Sequence, residues 1–220
     1  MSTMLKDSEV LTSLKLRYFE LAYKYQRCHV GSGYTVLPII NEIYAKKATK
    51  DLFVLSCGHA SLALYVVLEK YLGVDPEECL NLYRVHPNRD TIRGIYCSTG
   101  SLGHGLGVAA GMAIGNPNIN IHCLISDGEC SEGSIFETLR IIKELNIKNI
   151  IVYVNLNGFS AYNILNTSYY EKILSAFLPK EQLKIYKTNY DDISFLNGID
   201  AHYYRVTEKN IEEIHETFIH

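Results

Sequence analysis

The chain has 220 residues, 47% hydrophobic and 20% charged, an ordinary globular balance with length enough for one domain and a full core. A formal net charge of −3 provides no basic surface for nucleic acid or an anionic membrane, and no apolar run reaches the roughly 20 residues of a membrane span. The first ten residues, MSTMLKDSEV, lack a signal-peptide core, and the six cysteines lack CxxC spacing, which points to reduced thiols in a cytoplasmic protein rather than a disulfide frame or zinc site.

Leu11, Leu14, Leu16, Tyr18, Leu21 and Tyr25 space an amphipathic helix over 8–26. The stretch from Cys28 to Gly33 reads as a loop. A second helix is expected over 35–47, with Pro38 in its first turn. Residues 52–56 read as a short buried strand, followed by a helix to about Leu72. Asp75 and Pro76 are the cap and first turn of another helix. Residues 84–100 are polar and irregular. The glycine-rich run from Gly100 to Gly107 leads into a helix of small residues at 108–113. A strand at 121–125, a helix at 132–145 and a strand at 149–154 follow. Beyond them come a helix near 168–176, strands near 183–187 and 202–206, and a terminal helix from about 208. Strands alternating with helices predict a three-layer α/β/α fold with a mainly parallel sheet, one domain over residues 1–220.

The most informative stretch runs from Asp127 to Asn157. One apolar strand ends on Asp127-Gly128, and the next ends on Asn155-Leu156-Asn157-Gly158. Parallel strands joined by a helix bring their carboxyl ends together, where α/β sheets bind ligands. A carboxylate and a carboxamide there suit Mg²⁺, which shares oxygen ligands with substrate phosphates. Two ordinary strand-end turns would also explain the dipeptides.

Four stretches together resemble the transketolase family of thiamine diphosphate enzymes, in that family's order. They are Cys28-His29-Val30-Gly31-Ser32-Gly33; Ser56-Cys57-Gly58-His59-Ala60; His86-Pro87 with Thr99-Gly100-Ser101-Leu102-Gly103-His104; and the Asp127–Asn157 clamp. The resemblance covers about residues 15–165 and implies a thiamine diphosphate-binding fold. It implies that Asp127, Asn157 and the Phe159 carbonyl hold Mg²⁺, or Ca²⁺ or Mn²⁺ in its place. Gly128 lies against the diphosphate, and His59 bonds a diphosphate oxygen or the substrate. Gly100 and the Leu102 backbone meet the aminopyrimidine ring, and His104 stands where the family often has Gln. His29 and His86 line the catalytic channel. Glu132 sits where the family links cofactor sites across a subunit contact, although an acidic first turn also complements a helix dipole. Glu129 is expected in solvent, Arg89 and Arg93 as solvated loop charges, and His122 in the core. His202, His215 and His220 receive no role.

Three departures from the family pattern stand out: Ser126 replaces the first glycine of Gly-Asp-Gly, Val30 replaces Pro, and Cys28 replaces Gly. No aminopyrimidine-binding domain fits after Asn157, and a further channel histidine is not expected there. The resemblance therefore implies a split transketolase-like enzyme acting on sugars or sugar phosphates, completed by a separate pyrimidine-binding subunit in an α2β2 assembly. Another thiamine diphosphate carboligation, such as deoxyxylulose-phosphate synthesis or sugar modification, is the neighbouring reading. A diverged non-catalytic subunit is the reading from another class, and no GxxxxGK[ST] loop supports a nucleotide protein.

Overall fold

A computed structural model describes residues 9–219. Helices α1 (Glu9–Lys24) and α2 (Val30–Lys46) precede strand β1 (Leu52–Leu55). Helices α3 (Ser61–Leu72), α4 (Pro76–Tyr83) and α5 (His104–Gly115) lead to β2 (Ile121–Ser126). Then follow α6 (Gly133–Glu144), β3 (Ile150–Leu156), α7 (Thr167–Leu174), β4 (Leu183–Lys187) and α8 (Glu208–Ile219). The expected N-terminal segment before residue 9 and His220 lie outside the described residues.

The four strands pair in the order β1-β2-β3-β4, all parallel. Side chains alternate across the pleat, and the two faces build separate cores. Phe53, Leu55, Leu124 and Tyr153 pack against the layer of α1, α2 and α3. Val54, Ile121, Cys123, Ile125, Val152 and Val154 pack against α5 and α6. The expected three layers are thus present. The six cysteines are free thiols, five of them buried. Among the described residues no helix is long and apolar enough to cross a membrane.

Asp75 caps α4 as expected, its carboxylate accepting from Glu77 N–H at 2.8 Å, with Pro76 as the first helical residue. Three other expectations are corrected. Helix α2 begins at Val30, so Pro38 lies inside it rather than in its first turn. Gly31 and Gly33 are packing glycines of a helix, not loop residues. A Cβ on Gly31 would stand 2.9 Å from Ala201 Cβ, and one on Gly33 would overlap the Tyr18 hydroxyl. The strand expected near 202–206 does not form. Residues 198–202 make a 3-10 turn and the chain then runs irregularly. Its apolar alternation serves the helical layer instead: Tyr204 stacks on Phe195 with centroids 5.3 Å apart, and Val206 is buried.

Candidate active site

The register of the sheet builds the site. Ser126 pairs with Asn155, so β2 and β3 end side by side and deliver Asp127 and Asn157 to one edge. Asp127 N–H donates to the Asn155 carbonyl at 2.9 Å. The Asp127 carboxylate accepts from Gly128 N–H at 3.1 Å and Gly158 N–H at 2.6 Å. Asn157 Oδ1 accepts from Phe159 N–H at 2.9 Å, which folds the Asn-Gly-Phe turn back on itself. Thr35 of α2 fastens this edge to the helical layer, its Oγ1 accepting from Asn155 Nδ2 at 3.0 Å and Asn157 Nδ2 at 3.4 Å.

A cavity of about 370 Å³ opens above these strand ends, a size suited to a cofactor or other small ligand. Asp127, Gly128, Asn157 and Phe159 line one part of it; His29, His59 and His86 line another. Gly100, Leu102 and Glu132 complete the set, so every expected site residue except His104 reaches the wall. His104, the first residue of α5, is exposed and stands outside the lining.

The imidazoles form one group. The His29 ring lies 5.4 Å from His59 and 4.3 Å, edge to face, from His202. His29 itself is held in left-handed backbone, φ 64°, a conformation that costs a non-glycine residue energy and persists where surroundings enforce it. Its N–H donates to the His202 carbonyl at 2.7 Å, and its Nδ1 lies 3.0 Å from Cys28 Sγ. Burial first, then repulsion against protonating a second imidazole beside the neighbouring histidines, lowers the pKa of His29 to about 4 and of His59 to about 3. Burial likewise lowers His86 and His202. At neutral pH the group is uncharged, able to accept a proton or to donate a hydrogen bond.

The loop carrying His86 and Gly100 is zipped rather than loose. Asp90 and Ile95 bridge, Thr99 N–H donates to the Pro87 carbonyl at 3.1 Å, and Arg89 N–H donates to Ser98 Oγ at 2.7 Å. Arg93 is not a solvated charge as expected: it pairs with Glu78 and with Asp90. Arg89 is exposed. Gly103, φ 79°, lets the loop close on α6, where a Cβ would meet Ser134 Oγ and lie 3.0 Å from Glu132 Cβ.

Sequence reasoning passed over one site residue and misjudged another, Glu129. His202 lines the cavity, although it lies 45 positions past Asn157 with no local motif. The expectation that no further channel histidine follows the clamp is corrected by this placement. Ser126, where the family has glycine, also lines the cavity, and its buried Oγ has no hydrogen-bond partner among the described residues. Glu129, read as less constrained and solvated, is 0% exposed. It accepts hydrogen bonds from Ser56, Gly103 and Ser126, groups that the sequence does not place together. His122 is buried in the core as expected, 2.9 Å from the Tyr153 hydroxyl.

A metal-bound diphosphate fits what stands here. Burial raises the pKa of Asp127 to about 6, against hydrogen bonds from Gly158 and Gly128; a cation beside it would remove that cost. Ser126 Oγ offers an unused donor. Gly128 lines the cavity, and a Cβ there would meet nothing closer than 3.7 Å. Among the described residues no three His, Cys, Asp or Glu side chains gather as a metal cage. One carboxylate, one carboxamide and a carbonyl leave coordination places for phosphate and water, which is the Mg²⁺ habit.

Fold and site define an α/β protein with a ligand cavity at the carboxyl ends of a parallel sheet. Residues 34–193 match the thiamine diphosphate binding domain of transketolase, and the chain belongs to that family. It is 30% identical over 161 residues to one subunit of the apulose-4-phosphate transketolase of Phocaeicola vulgatus, covering 64% of this chain and 57% of that one. It is 36% identical over 141 residues to transketolase-like protein 2 of Mus musculus, covering 58% and 22%. The chain thus spans less than two thirds of either relative. Among solved structures, transketolase from Leishmania mexicana superposes with a TM-score of 0.77 at 18% identity, over 99% of this chain and 42% of that one. At that identity the likeness establishes the fold.

Proposed function

We propose that this chain, residues 1–220 as one domain, is the diphosphate-binding subunit of a thiamine diphosphate-dependent transketolase-like transferase. The reaction moves a two-carbon ketol unit from a ketose or ketose phosphate to an aldose acceptor. The observation that carries this reading is one cavity uniting the Asp127–Asn157 edge with the neutral imidazoles of His29, His59 and His86.

Asp127, Asn157 and the Phe159 carbonyl hold Mg²⁺, or Ca²⁺ or Mn²⁺, and through it the diphosphate. Bound thiamine diphosphate supplies the nucleophilic carbon. Gly128 lies along the diphosphate and His59 donates to it or to substrate. Gly100 and the Leu102 backbone present a flat wall to the aminopyrimidine. His29 and His86 accept and return hydroxyl protons of the sugar, which their uncharged state permits. His104 and Glu132, both exposed, act where a second chain meets this one.

A separate pyrimidine-binding subunit completes the site in an α2β2 assembly. Two observations support it. The Phocaeicola vulgatus relative is itself one subunit of a transketolase. Apolar side chains also stand open at the rim of the cavity: Tyr162, which lines it, is 83% exposed, Ile164 beside it in sequence 78%, and Tyr203, next to the cavity-lining His202, 58%. Large exposed apolar side chains beside a ligand cavity suit a partner surface. A cytoplasmic setting belongs to the same reading and rests on the buried free thiols.

The test is co-expression with a candidate pyrimidine-binding chain, co-purification, and an assay offering ketose donors and pyruvate beside an aldose acceptor. Transfer from a ketose that requires both chains is the expected result. Release of CO₂ from pyruvate would move the assignment to a decarboxylating carboligase, and full transfer by this polypeptide alone would reject the split enzyme.

A further inference from the structure

Glu129 has no part in the proposed chemistry and does not line the cavity, yet it is 0% exposed. Its Oε1 accepts from Ser56 Oγ at 2.5 Å and from Gly103 N–H at 2.9 Å; its Oε2 accepts from Ser126 N–H at 3.0 Å. Ser126 ends β2, Ser56 directly follows β1, and Gly103 belongs to the loop before α5. A single carboxylate therefore joins two adjacent strand ends to the loop whose Gly100 and Leu102 form cavity wall.

The residue type suits the task. A carboxylate is an acceptor on both oxygens and receives all three donors. Glutamine keeps the shape but has one acceptor oxygen, so its amide N–H₂ must face either Ser126 N–H or the Ser56–Gly103 pair. A buried donor left without an acceptor is costly.

We propose that Glu129 is a positioning residue: it straps the 100–103 loop to the carboxyl ends of β1 and β2 and so presets the wall beneath the aminopyrimidine. What that wall meets rests on the proposed function; the strap itself does not.

The experiment is amide hydrogen exchange on the full chain, wild type against Glu129→Gln and Ser56→Ala, with thiamine diphosphate titrated in Mg²⁺ beside the partner chain. In Glu129→Gln, amides of 100–105 should exchange about tenfold faster while those of β3 and β4 hold. Cofactor affinity should fall about tenfold. In the assembled enzyme the half-saturating thiamine diphosphate concentration should rise with the donor KM unchanged, whereas general loosening would move both. Ser56→Ala, which leaves the carboxylate in place, should show a smaller version, and it decides the matter if Glu129→Gln fails to fold. Wild-type exchange of the loop in the folded variants, or an increase spread evenly over the sheet, would overturn the proposal. A loosened loop in a protein whose wild type binds no thiamine diphosphate would uphold the strap and reject the cofactor reading.

Discussion

At the amino end of the sheet Asp51 accepts from Asn120 N–H at 2.9 Å, from Asn120 Nδ2 at 3.2 Å and from Ala48 N–H at 3.4 Å. At the carboxyl end Asp127 is likewise shielded from solvent but lies much deeper in the protein, and it accepts from two backbone N–H groups. Burial pushes both carboxyls up. At Asp51 the hydrogen bonds from Asn120 and Ala48, with His122 nearby, outweigh it and the pKa is lowered; at Asp127 burial wins, to about 6. The neighbours follow suit. Asn149 Nδ2 serves the carbonyls of Ala113, Asn116 and Ile119 within 3.0 Å, a closed network. Ser126 Oγ at the other end has no hydrogen-bond partner among the described residues. At the amino end the Asp51 carboxylate and the Asn149 amide are satisfied, and the open His122 Nε2 already lies 3.6 Å from Asp51; at the carboxyl end the open Ser126 Oγ faces the cavity.

That contrast can be broken, or sharpened, in several ways. The largest effect belongs to Asp127→Ala. Loss of an outer-shell partner already costs a metal site about 10–100-fold, so removing this ligand should weaken Mg²⁺-dependent thiamine diphosphate binding more than about 100-fold. The thermal midpoint without ligand should change little, since removing a costly buried carboxylate offsets the orphaned N–H groups of Gly128 and Gly158. Asp51→Ala should do the reverse. Its orphaned donors cost about 2 kcal/mol of stability in denaturant melts, while cofactor affinity is unchanged.

Acid titration separates the two ends further. His29 and His59 hold folded pKa values of about 4 and about 3, below the ordinary 6.5. Below pH 6.5 the unfolded chain binds protons that the folded chain refuses, so stability falls as pH drops from 6.5 towards 4. Asp127 acts in the opposite sense between its folded value of about 6 and the ordinary 3.8, one group against two histidines. The thermal midpoint should therefore fall over that range, and His59→Asn should flatten the slope. The smallest stability change belongs to the rim. Tyr162→Ser and Ile164→Ser, at positions 83% and 78% exposed, should leave stability within about 0.5 kcal/mol. They should still weaken capture of the partner chain.

The sequence made one side of this picture readable and left the other hidden. Apolar runs marked β1, β2 and β3 because strands buried on both faces carry little polar alternation. Asp127 and Asn157 were readable because strand ends fix neighbours from local spacing alone. Gly31 and Gly33 misled, since whether a glycine breaks a helix or lets it touch Ala201 and Tyr18 depends on distant partners. His202 was hidden for the same reason: its ring reaches His29 through a turn that no nearby motif announces. Glu129 looked like a surface acid because its three donors come from three separate segments.

The most direct measurement is calorimetric titration of thiamine diphosphate in Mg²⁺ into this chain, alone and with a pyrimidine-binding partner, for wild type, Asp127→Ala and Asp51→Ala. Metal-dependent binding that appears with the partner, vanishes in Asp127→Ala and survives in Asp51→Ala is the predicted result. No binding by folded wild-type protein in either setting, or equal binding by all three proteins, would contradict the claim that the carboxyl end of this sheet is built for a metal-bound diphosphate.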